Sequence, residues 1–282
     1  MPKKNNSPCV GERSFHRSSQ ATGFFVDREK ECDRLREAVL SGQSMMIAGP
    51  RGAGKTTLVL KIISEVSPVL GNRCLYIAKV KDLQDLLRSL IRALYEAEDI
   101  NLRRELHTAG ISSATFDHWL RNLPANRLRS TLYRAINASG YRVFVDHVSR
   151  LTPAMARVIK QLFWMRQTPV YLVFSEEPEA RRVSHFFYWG EQEALRLGPL
   201  PMPAGRMLLE NCIHQFGLAR FDLEGFRDEV LQLSQLVPGA IIAMCELASN
   251  PQYQFESRIK VKLVHIDYLM RGQTGNPKPG YY

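Results

Sequence analysis

A chain of 282 residues with 45% hydrophobic content can bury a core domain and a smaller companion, which excludes both a disordered polypeptide and a miniature scaffold that depends on cross-links. Its 38 Lys and Arg against 28 Asp and Glu leave a formal charge of +10, which suits an anionic partner without choosing among nucleotide, nucleic acid and acidic protein. Cys9, Cys32, Cys74, Cys212 and Cys245 are scattered, with no CxxC pair or cysteine-histidine spacing for zinc, and no apolar run reaches the twenty or so residues of a membrane helix.

Residues 1–22 are polar and Ser/Asn-rich and read as a disordered basic arm. They also lack the apolar core of a secretion signal, so the expected setting is cytoplasmic and reducing. A helix is expected next, with Asp27 as its N-cap and Leu35, Val39 and Leu40 on its apolar face. Short β-rich runs then alternate with helical ones, at "SMMIAG", "RCLYIAKV", "YRVFVD", "PVYLVF" and a short "EALRLG". That alternation predicts a parallel sheet covered by crossover helices, an α/β core over 23–200.

Between the second and third strands, Asp82 to Ser139 is a helical stretch studded with Arg103, Arg104, Arg121, Arg127, Arg129 and Arg134, and reads as an inserted helical layer or a contact surface. After "LGPLPMP" only helices are expected, in a small domain over 201–272, followed by a loose tail over 273–282. "SRIKVKLVHIDYLMRG" alternates apolar and basic residues before turning helical, so periodicity leaves its state open.

The stretch "MMIAGPRGAGKTTLVLKI" carries the chemistry. Its "GPRGAGKT" fits G-x-x-x-x-G-K-[ST], with a strand entering the loop and a helix leaving it. Backbone N–H groups wrap a polyphosphate only where side chains do not block the approach, hence the glycines. The helix beginning near Lys55 aims its free N–H groups and positive dipole end at the same anion. Gly49, Pro50, Arg51, Gly52, Ala53, Gly54, Lys55, Thr56 and Thr57 are therefore the expected phosphate cradle. Lys55 is suited to reach the β and γ phosphates, and the Thr56 hydroxyl to ligate Mg2+. Asp146, which closes the strand run "YRVFV", is the expected second acid on the Mg2+ side.

With these pieces in place, the chain from about Phe24 to Met270 resembles the P-loop ATPases of the AAA-plus and STAND groups, nearest the archaeal-type, origin-recognition-like and transposition-helper ATPases. The resemblance implies a P-loop NTPase core of three layers with a small helical lid, ATP and Mg2+ as ligands, and hydrolysis of ATP. It admits DNA, a protein or further copies of the chain as partners, and implies no membrane. "FFVDREKECDRL" is similar to the family's lead-in, which puts Phe25, Val26 and Arg28 on the adenine side. "PVYLVFSEE" is similar to the first sensor strand, which puts Ser175 or Glu176 near the γ phosphate. "SQLVPGAIIAM" is similar to the lid motif and adds Pro238 to the nucleotide set.

Two departures from the family pattern stand out. His147 occupies the place where relatives carry the glutamate that polarises water, and it reads either as a weaker base or as a packing residue. Leu236 stands at the expected lid glycine. Arg181 and Arg182 read as a finger toward a neighbouring copy or as solvated surface charges. "HFFYWG", His185 to Gly190, reads as a core or interface cluster or as a stacking surface.

Overall fold

β1 (Met45–Gly49) is buried at every position and lies inside a five-stranded sheet. The computed structural model describes residues 24–71, 73–136, 140–147, 152–164, 168–175 and 194–273. Within them the strand order is β2 (Cys74–Ile77), β3 (Arg142–Val145), β4 (Val170–Ser175), β1, β5 (Ala194–Arg196), and every pairing is parallel. The near-continuous apolar runs of β1, β3 and β4 are what a parallel sheet buried on both faces requires. All five strand runs expected from the sequence are present, with ends that differ by a few residues from the expected runs, as at β4, which extends to Ser175.

Two compact units divide the chain. Among the described residues, one comprises those within 29–50 and 58–197, and the other 24–28, 51–57 and 198–273. The first holds the sheet. Its leading helix, α1 (Glu29–Ser41), buries Cys32, Leu35, Ala38 and Val39. Leu40, expected on that face, is instead 44% exposed. Asp27 is not the N-cap either. Asp27 and Arg28 both take left-handed backbone, with φ of 59° and 78°, so the chain turns sharply and Arg28 directly precedes the helix.

α2 (Lys55–Leu70) follows the loop after β1 and buries Leu58, Val59, Ile62, Ile63 and Val66. The expected helical layer is present as α3 (Leu83–Glu96), α4 (Ile100–Thr108), α5 (Ser113–Asn122) and α6 (Ala125–Ile136). Local chemistry sets its boundaries. Asp82 caps α3 by accepting from the Asp85 N–H, Asp99 caps α4 by accepting from that of Leu102, and Ser112 with Thr115 forms a capping box on α5. Leu87, Leu90, Leu128 and Leu132 of this layer share one core with Val143 of β3 and Ile159 of α7 (Pro153–Trp164). Two of the arginines noted above sit in exposed ion pairs, Arg103 with Glu98 and Arg134 with Glu105, which add little stability.

The second unit contains α8 (Met202–Gln215), α9 (Phe226–Leu233), α10 (Pro238–Ala248) and α11 (Val261–Gln273). It also contains a two-stranded antiparallel hairpin, β6 (Gln254–Phe255) and β7 (Arg258–Ile259), where only helices were expected. Glu256 takes a left-handed φ of 51° at its turn. The ambiguous stretch resolves into β7 and then α11.

This unit's core brings Cys212 of α8 against Cys245 of α10, both fully buried. Hydrogen bonding with Cys212 and burial hold the Cys245 thiol well above its ordinary range. The four described cysteines are free thiols. Leu236 keeps the backbone that a glycine would favour, with φ of 59°, at a cost of about 1–2 kcal/mol for a residue with a Cβ. Its side chain lies over Gly205, where an added Cβ would stand 2.6 Å from Leu236 Cδ2.

Candidate functional site

Gly49 ends β1 under a tight constraint. Leu197 donates its N–H to the Ala48 carbonyl at 2.8 Å, which brings the Leu197 backbone close. A Cβ on Gly49 would lie 2.2 Å from the Leu197 carbonyl oxygen, so no other residue fits. Register pairs Gly49 with Ser175, the last residue of β4. β1, β4 and β3 thus end on one edge of the sheet, the edge where open parallel sheets gather ligands.

Residues 51–57 belong to the second unit, and within it they meet the start of α10. The Gly239 N–H donates to the Gly52 carbonyl at 2.8 Å. The two backbones touch because neither residue has a side chain. A Cβ on Gly239 would stand 2.8 Å from Gly52 Cα, and Gly52 itself has a φ of 81°. Pro238 occupies the first turn of α10, where its missing N–H is no loss. The lid-like motif is therefore seated on the glycine loop through backbone. α2 opens at Lys55 with no acid in its first turn, so no carboxylate offsets its positive end there. Ala53 is buried, and Lys55, Thr56 and Thr57 are partly exposed.

Asp146 follows β3 and is 1% exposed. Its N–H donates to the Ile77 carbonyl at 2.8 Å. One carboxylate oxygen accepts from the His147 N–H at 2.6 Å, and the other accepts from the Tyr76 hydroxyl at 2.9 Å. Burial, with the Asp146 charge adding to it, pushes the Tyr76 phenol far above its ordinary range, so Tyr76 acts as a donor at any pH the fold tolerates. Tyr76 was not singled out from the sequence. Its only signal there is a place in the strand that turns out to neighbour β3.

His147 takes a left-handed φ of 49°, and its ring is 64% exposed with Nε2 3.9 Å from Asp146 Oδ2. It is not a core residue. Val26 packs in the core of the second unit beside Leu200 and Ala204. Arg28 is buried and donates from Nη2 to the Gly198 carbonyl. Glu176, Arg181, Arg182 and residues 185–190 lie outside the described residues, as do the expected N-terminal arm and nearly all of the tail.

No family model matches the sequence, and no curated protein matches it. Among solved structures, the Walker-type ATPase PABY2304 of Pyrococcus abyssi superposes with a TM-score of 0.60, over 89% of this chain and 75% of that one, at 15% identity. The chain has the P-loop NTPase fold. The loop that defines this fold is the one between β1 and α2, and the expectation of an α/β core with a parallel sheet is borne out. No helix among the described residues is long and apolar enough to cross a membrane.

Proposed function

We propose that the chain binds ATP with Mg2+ and hydrolyses it slowly, and that the nucleotide alters how α10 holds the glycine loop. The observation that carries this reading is the Gly49–Thr57 loop, which joins a buried parallel strand to a helix whose first turn is free of acids. The ATPase named among the structural neighbours supports it. Backbone N–H groups of 52–57 would cradle the phosphates, with Pro50, Arg51 and Ala53 shaping the loop around them. Lys55 would hold the β and γ phosphates, and Thr57 the α phosphate. The resemblance assigns Val26, Arg28 and Pro238 to the base.

Among the described residues no cluster of three or more ligating side chains exists, so an all-protein metal cage is not the expectation. Mg2+ suits that situation, because it keeps several waters and binds through one or two protein oxygens together with phosphate. Thr56 and Asp146 are those oxygens in this reading. Tyr76 and the His147 N–H orient the Asp146 carboxylate, and each oxygen keeps a further lone pair for the ion. Bound Mg2+ supplies charge neutralisation on the phosphates. His147, with Glu176 as the alternative, would accept a proton from the attacking water.

A second reading, a switch that binds ATP and barely turns it over, is favoured by the exposed His147 beside Asp146. Binding DNA, a protein or further copies of the chain in the ATP state would then be its output. The test pairs ATP affinity with phosphate release in wild type and Lys55→Ala. Unchanged values for both in a folded variant defeat the nucleotide reading. Lys55-dependent phosphate release slower than about 1 per second supports the slow enzyme, and tight binding with no phosphate release supports the switch.

A further inference from the structure

α6 and α7 share one core and are joined where the Tyr133 hydroxyl donates to Gln161 Oε1. Neither helix contains a single acid, while α6 carries Arg127, Arg129 and Arg134, and α7 carries Arg157 and Lys160. Elsewhere in the helical layer charges alternate in sign, as in Arg92 with Asp117. Glu105 is the described carboxylate that meets α6, where it accepts from Thr131 and pairs with Arg134. Among the described residues no carboxylate pairs with Arg127, Arg129, Arg157 or Lys160.

Helical spacing sorts these cations. Arg157, Gln161 and Trp164 follow one another on a single line of α7, and Lys160 sits one turn before Trp164. All four are exposed, and the indole is 71% exposed, third among the described large hydrophobic side chains after Val69 and Ile100. On α6, Arg129 lies one turn before Tyr133 and so faces the same seam. An indole open to solvent one turn from Lys160 is an apolar surface that no described residue of this unit covers, and its flat π-face suits a nucleobase.

We propose that the α6–α7 face binds a single strand of nucleic acid, with Trp164 stacking on a base while Arg129, Arg157 and Lys160 neutralise the flanking phosphates. An acidic protein segment would be drawn by the same charges but gains nothing comparable from a bare indole. The surface lies wholly within the sheet-bearing unit and does not involve the glycine loop.

The test is fluorescence anisotropy of a labelled oligothymidylate of about 20 nucleotides with the full chain, over a series of salt concentrations. Three phosphate contacts give an expected slope of about −2 in log affinity against log salt, since each contact on a single strand contributes about −0.7. Arg157→Ala with Lys160→Ala is expected to weaken binding at least tenfold and to flatten the slope by about 1.4. Trp164→Ala is expected to cost about tenfold with the slope unchanged, and Trp164→Phe to retain most of the affinity. These side chains are exposed, so matching thermal melts confirm that the variants are folded. Lys55→Ala should bind the strand as wild type does, so a failure of the nucleotide reading appears only in the ATP assays. No binding at low salt, an unchanged slope in the double variant, or polyglutamate competing as well as the oligonucleotide would overturn the proposal.

Discussion

Tyr76 and Asp146 belong to neighbouring parallel strands, and the Tyr76 hydroxyl reaches Asp146 Oδ2 at 2.9 Å. The register explains the reach. Tyr76 lies opposite Phe144, and Asp146 is two residues further along, on the same side of the pleat. An aromatic side chain spans that diagonal, so the acid at the end of β3 is aimed by a residue of β2.

Tyr76→Phe keeps the ring and deletes the donor. It is expected to destabilise the fold by about 1–2 kcal/mol, because Asp146 Oδ2 is buried and loses a partner. Mg2+ dependence is the more telling readout. Loss of the orienting bond should weaken the apparent metal affinity by about tenfold or more in an ATPase titration, with ATP affinity in the absence of metal unchanged.

Gly239→Ala places a methyl group 2.8 Å from Gly52 Cα and 3.1 Å from its carbonyl oxygen. Backbone cannot rotate away as a side chain would, so the start of α10 must lift off the loop, at a cost of about 1–3 kcal/mol. The expected result is a lower melting temperature together with altered ATP affinity, measured by calorimetry. Gly225→Ala serves as the control. It alters a glycine of the same unit with open space around it, and should lower stability without touching nucleotide binding.

His147→Glu replaces an exposed imidazole by the acid that the family resemblance implies for this place. It is expected to raise the ATPase rate by about tenfold, equivalent to about 1.4 kcal/mol of barrier, with little change in ATP affinity. His147→Ala should lower the rate if the ring orients water. A wild-type rate near about 1 per second with a slower His147→Glu variant would point to another base, Glu176 being the first to test.

Alkaline pH should weaken the fold. Burial pushes the Cys74 thiol from 9.0 up to about 11, with the Arg142 charge opposing the rise. The unfolded chain loses this proton first, so the contribution is complete below pH 9 and is lost as the pH climbs through 11, at up to about 1.4 kcal/mol per unit. Cys32 and Cys245 shift in the same direction, and Tyr76, Tyr141 and Tyr171 extend the decline above pH 10. Urea midpoints near pH 8 and pH 10 check this, with Cys74→Ser expected to show a shallower loss than wild type.

Strands and the glycine loop were legible because their cues are local. "MMIAG" and "VYLVF" are too apolar and too short for surface helices, and the spacing of "GPRGAGKT" announces a turn between a strand and a helix. What escaped depends on neighbours that sequence order does not reveal. Tyr76 acts on Asp146 only because β2 lies beside β3, and Gly239 reaches Gly52 from far along the chain. Cys212 and Cys245 looked unrelated by spacing and meet across two helices. Asp27 failed as a cap because two successive left-handed residues moved the helix start, a turn that no residue preference announces for Asp-Arg. Of the hairpin at Gln254 to Ile259, only the second strand fell in a stretch with visible alternation, and two residues per strand are too few to separate strand from helix by period.

β2 and β3 are hydrogen-bonded partners although residues 78–141 separate them. The separation shapes the order in which the chain organises itself. α3 and α6 pack against each other, with Leu90, Leu128 and Leu132 in one core, and these contacts close a loop little more than half as long as the one the sheet closes. Helices form within microseconds, whereas parallel pairing must wait for distant segments to meet. The helical layer therefore acts as a folding clamp. By closing on itself it carries the ends of β2 and β3 toward each other, so a truncation such as Leu90→Ala should slow refolding more than it speeds unfolding.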